Sequence, residues 1–118
     1  LMAYVAQGGT LICQYQTANN ISRAEEVGPF SFAISRDRIT QENSPVEFAL
    51  PHHPALNFPN KLGQSDFEGW VQERGLYFAT QADERYAAPL RLADPGEPPT
   101  AGGLIIARHG KGHYVYTG

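Results

Sequence analysis

Cys13 is the one thiol in the chain and sits near the end of a short apolar run, while His109 and His113 flank a Gly-Lys-Gly turn far downstream. A cysteine nucleophile needs a depressed pKa and a histidine within reach, so Cys13 with His109 or His113 is the pairing that would make this chain a hydrolase. The competing reading is packing, because a thiol inside an apolar run behaves as a small hydrophobe. His52 and His53 invite a metal, but adjacent residues on an extended chain point to opposite faces, and no His-x-x-x-His, paired aspartate or Cys-x-x-Cys pattern stands beside them. No metal site is expected. His109 and His113 are also placed to face one another across their turn, where Lys111 and the glycine amides would meet an anion.

Ligand contact is the other chemistry the residues offer. Trp70, Glu73 and Arg74, with Asp66 and Glu68 nearby, make a polar and aromatic cluster of the kind that lines a sugar-binding groove. Gln14, Tyr15 and Gln16 form the polar end of a predicted strand, the place where an open α/β sheet binds its ligands. These six are the candidate binding residues, and no catalytic residue is assigned.

The elements that would position them follow from pattern. Residues 1–7 have helical character, and Gly8-Gly9 breaks that helix before a strand over 10–16. Residues 17–29 read as a polar surface loop. Phe30, Phe32 and Ile34 alternate with Ser31 and Ala33, and Val46, Phe48 and Leu50 repeat the period, so 30–34 and 46–50 are predicted strands. Ser65-Asp66-Phe67-Glu68 fits a capping box opening a short helix, with Phe67, Trp70 and Val71 on its inner face. Residues 76–78 read as a strand, 82–86 as a turn or short helix and 89–92 as a weak edge strand. The strongest signal is last: two apolar strands around Gly110-Lys111, a two-residue turn with glycine at its first central position.

Composition narrows the function classes. In 118 residues, 42% are hydrophobic and 18% charged, which is ordinary for a globular domain. A net charge of −3 without a Lys/Arg cluster speaks against nucleic acid, and no apolar run nears the roughly 18 residues of a membrane span. One cysteine permits no internal disulfide and leaves the redox compartment open. The chain opens in mid-helix and closes as a strand finishes, which reads as a segment cut from a longer protein.

Two sets of residues resemble known families. Residues 4–12, followed near the end by 107–118 with their Arg-His-Gly-Lys-Gly-His core, are similar to class I glutamine-amidotransferase-like domains, including the ThuA-like group. More specifically, Ser35-Arg36-Asp37-Arg38-Ile39, His53-Pro54-Ala55-Leu56-Asn57, Asn60-Lys61 and above all residues 66–78 resemble the carboxy-terminal region of large bacterial LmbE/PIG-L-type deacetylases. The resemblance covers nearly the whole chain. It implies an α/β, flavodoxin-like sheet, of which this chain is a carboxy-terminal, strand-rich fragment with a terminal β-hairpin. It also implies a parent that hydrolyses N-acetyl groups of amino sugars with zinc held in a separate amino-terminal domain, and is compatible with a periplasmic location.

Neither family's chemistry carries over residue by residue. The zinc motif of Pro-His-Pro-Asp-Asp type is missing, since Pro51-His52-His53-Pro54 runs into Ala55-Leu56. An amidotransferase needs a Gly-x-Cys-x-Gly elbow after its strand, and alignment puts Tyr15 at the nucleophile with Cys13 two residues early. The expectation is a domain without its reaction, with no cofactor of its own, serving carbohydrate binding or docking against the remainder of its parent. A hydrolase built on Cys13, and a purely structural packing or oligomerisation module, are the competing readings.

Overall fold

The computed structural model describes residues 1–17 and 27–118. Most of the polar loop expected over 17–29 falls at 18–26, outside the described residues. The helix α1 (Met2–Ala6) ends at Gly8, whose φ of +120° suits glycine alone, and the chain enters β1 (Thr10–Gln14). The remaining strands are β2 (Ala33–Ile34), β3 (Arg38–Ile39), β4 (Val46–Phe48), β5 (Gly75–Leu76), β6 (Ala79–Thr80), β7 (Leu90–Leu92), β8 (Thr100–Ala101), β9 (Leu104–His109) and β10 (Gly112–Thr117). Single 3₁₀ turns occupy Pro54–Leu56 and Gln64–Phe67. The described residues are therefore strand-rich, with little helix and open sheets.

Those strands make four small sheets, ordered β1-β10-β9, β2-β6, β3-β5 and β4-β7-β8. The β1–β10 ladder is parallel, and the other ladders are antiparallel. The terminal hairpin follows its sequence signature: His109 lies opposite Gly112, and Gly110 starts the two-residue loop at φ +59°. Lys111 donates its amide to the Ala6 carbonyl at 3.0 Å, fastening the turn to α1. Gly112 has no substitute, because a Cβ there would press on the carbonyl oxygens of Val5 and Gly9.

Alternation puts Tyr114 and Tyr116 of β10, Ile105 and Ala107 of β9 and, half-buried, Leu11 and Cys13 of β1 on one face, where Phe32, Ala79 and Tyr86 cover them. A second core gathers Ile39, Val46, Leu56, Phe67, Phe78, Leu90 and Leu92. Each such large apolar side chain contributes about 1.5 to 3 kcal/mol by leaving water, which is what holds the short ladders together.

Several local expectations are corrected. The strand predicted over 30–34 is reduced to Ala33–Ile34, although Phe32 does point into the core as the alternation requires. The strand over 46–50 stops at Phe48, and the one over 10–16 at Gln14. Residues 89–92 are not an edge: β7 lies between β4 and β8, with Pro89 just outside the ladder so that its missing N–H costs nothing. The predicted capping box is displaced by two residues. Asp66, not Glu68, reaches back, its carboxylate accepting the Gly63 N–H at 2.7 Å, and the turn it caps is 3₁₀ and ends at Phe67. Gly69 at φ +70° then swings the chain away, so Phe67 is buried while Trp70 and Val71 are 42% and 76% exposed.

Candidate functional site

The carboxyl ends of the two parallel strands lie together, at Gln14 on β1 and Thr117 on β10. Tyr15 leaves β1 with φ +51° while its amide donates to the Thr117 carbonyl at 2.9 Å. A left-handed backbone is uncommon for a bulky residue and costs on the order of 1 to 3 kcal/mol. Tyr77, just past β5, has the same strain at φ +62°, and this also ends the strand predicted over 76–78. Its amide donates to the Asp37 carbonyl at 3.0 Å, and its own carbonyl accepts the Tyr116 hydroxyl at 2.6 Å. The two tyrosine rings meet edge to face, centroids 5.4 Å apart at 73°, with Tyr15 still 57% exposed. Gln16 folds back, its side-chain amide donating to the Gln14 carbonyl at 3.1 Å.

Trp70 and Arg74 occupy the other flank of the same strand end. A cleft of about 190 Å³ runs from Trp70 and Arg74 across Leu62, Phe67, Phe78 and Leu104 to Thr117 and Gly118. Trp70 is fixed by its indole N–H on the Asp66 carbonyl at 3.0 Å and by the Arg74 guanidinium 5.6 Å from its ring centroid. Arg74 also donates to the Ser44 carbonyl at 3.1 Å and to the Phe67 carbonyl. Glu73 turns instead to Arg38, with an N–O distance of 3.3 Å, and stands aside from the cleft lining. Thr117 is the joint between the groups, holding Tyr15 by its carbonyl and lining the cleft with Trp70 and Arg74.

Tyr77 is the residue sequence reasoning passed over, because an aromatic between Leu76 and Phe78 reads as strand.

Cys13 is placed for packing. It sits on the core face, half-buried, opposite Tyr116 and against the first core. Burial, with Cys13 as the next contributor, pushes the Tyr116 phenol up to about 12 and the Tyr114 phenol further. The Tyr114 hydroxyl is fully buried and has no hydrogen-bond partner among the described residues, though it faces the Cys13 thiol. His109 and His113 do not face one another. The register pairs His109 with Gly112 and His113 with Arg108, which sets the two imidazoles on opposite faces of the hairpin. His109 packs edge-on against Phe30 at 5.9 Å, and His113 is exposed, on the face away from Cys13.

His53 accepts the Ala55 amide on Nδ1 at 3.2 Å, capping the Pro54–Leu56 turn. Among the described residues no group of three His, Cys, Asp or Glu side chains gathers to hold an ion. No helix of the described residues is long and apolar enough to cross a membrane. Comparison of the chain with protein-family models, with curated proteins and with solved structures returned no match.

Proposed function

We propose that this chain is a non-catalytic, glutamine-amidotransferase-like accessory domain of a PIG-L/LmbE-type deacetylase, a parent that hydrolyses N-acetyl groups of amino sugars with zinc held elsewhere in its chain. Its role is carbohydrate binding or docking against the catalytic domain. The observation that carries the reading is Tyr15: it follows β1 with the left-handed backbone of a strand-to-turn elbow, and a phenol stands where the reaction needs a thiolate. A thiol two residues earlier, on the core face, supplies no substitute. The order α1, glycine break, β1, with β1 parallel to β10, supports a flavodoxin-like sheet continued beyond these residues. Gln14, Tyr15 and Gln16 on one flank, and Trp70 and Arg74 on the other, supply the ligand or docking contacts; Glu73 contributes through Arg38.

Titration of the chain with amino-sugar oligosaccharides, followed by tyrosine and tryptophan resonances, tests the binding half. Saturable shifts at this strand end are expected, and no shift in any of them overturns it. The docking half predicts that the separately produced catalytic domain shifts the same resonances.

A further inference from the structure

We infer that Tyr15 and Tyr77 form the aromatic corner of a neutral saccharide site at the carboxyl end of β1 and β10. This assignment rests on the carbohydrate reading above and names the part of that surface that does the binding. Two tyrosines in a region of backbone space that side chains avoid are held there by neighbours: Thr117 accepts the amide of one, Asp37 the amide of the other, and the fully buried Tyr116 spends its hydroxyl on the Tyr77 carbonyl. The strain turns both rings out of strand geometry and brings them together at 5.4 Å and 73°. Strain of this kind collects at ligand sites.

The shape selects the ligand. The pair sets one ring's edge against the other at 73°, and the Tyr15 ring, 57% exposed, is open to a ligand. A pyranose has one C–H face for the ring and hydroxyls around its rim for the phenols, which both donate and accept. The Gln16 amide, bonded on its N–H side to Gln14, and the Ser35–Asp37 turn behind Tyr77, where the serine hydroxyl donates to the Asp37 carboxylate at 2.8 Å, supply further polar partners.

Glycine adopts positive φ without strain, so Tyr15→Gly and Tyr77→Gly remove the rings while leaving the backbone at ease. With N-acetylglucosamine and its β-1,4-linked disaccharide as probes, the Tyr15 and Tyr77 ring protons are expected to shift saturably. Each glycine variant is expected to lose about tenfold in affinity, a stacking contact's worth. Shifts confined to Trp70, or unchanged affinity in both glycine variants, overturn the tyrosine corner and leave carbohydrate binding standing. No shift anywhere overturns both.

Discussion

At the scale of single residues, buried polar groups decide more than the reactive ones. Tyr114 is wholly buried with no hydrogen-bond partner for its hydroxyl among the described residues, and a desolvated, unpaired hydroxyl costs about 1 to 3 kcal/mol. Tyr114→Phe is therefore expected to leave stability unchanged or raise it by about 1 kcal/mol in urea unfolding; a clear loss would mean that Cys13 is a true partner. Cys13 itself is expected to alkylate slowly at neutral pH and quickly once unfolded, and rapid labelling of the folded chain would revive the hydrolase reading. Asp94 is the opposite case. Desolvation works to raise its pKa, but hydrogen bonds from the Thr40 and Gln41 amides and the Thr40 and Ser44 hydroxyls, at 2.8 to 3.0 Å, outweigh it and hold the carboxyl well below the ordinary value of 3.8. A depressed folded pKa means that the contribution is full above the unfolded value and is lost as pH falls through the folded one. Acid titration below about pH 4 should then destabilise the parent chain more than Asp94→Asn, which already lacks the charge.

At the scale of elements, two fastenings position the strand ends. Gly110 gives the hairpin its turn, and a Cβ there would both strain φ +59° and press on the Ala6 main chain, so Gly110→Ala is expected to cost about 2 kcal/mol or more in thermal or urea unfolding. Arg74 ties the 3₁₀ turn at Gln64–Phe67 to Ser44 and lies against Trp70. Lysine has no planar fork to make both carbonyl bonds and the stack, so Arg74→Lys should loosen the segment. Trp70 is the one tryptophan of the chain, so its emission reports this directly: a red shift in Arg74→Lys is expected, and an unchanged spectrum would show that Phe67 alone anchors the turn. The same segment shows where pattern reading fails. Asp66 and Glu68 both suit a reach-back, and which one caps depends on Gly63 and Gly69, whose backbone angles no side-chain pattern encodes.

At the scale of the molecule, the sheet edge at β1 matters most. The bonds from Tyr15 to Thr117 and from His113 to Gly9 turn the main chains of Leu11 and Cys13 toward β10 and those of Thr10, Ile12 and Gln14 away from it. No described strand pairs with that outer edge, Ile12 is 60% exposed, and β1 carries no charge or proline to guard it. Amide exchange is accordingly expected to be fast at Ile12 and slow at Leu11 and Cys13, and equal protection would mean that the edge is paired. The sequence by itself determined the helix-to-strand handover at Gly8-Gly9, the terminal hairpin and its glycine, and the alternation that turns Phe32 and Val46 inward, because each is set by local backbone preference or by a period of two. Tertiary structure alone decided that β7 is central, that Cys13 lies on the core face opposite Tyr116 and that Tyr77 meets Tyr15. Each of those depends on register or on contacts between residues tens of positions apart, which local propensity does not contain.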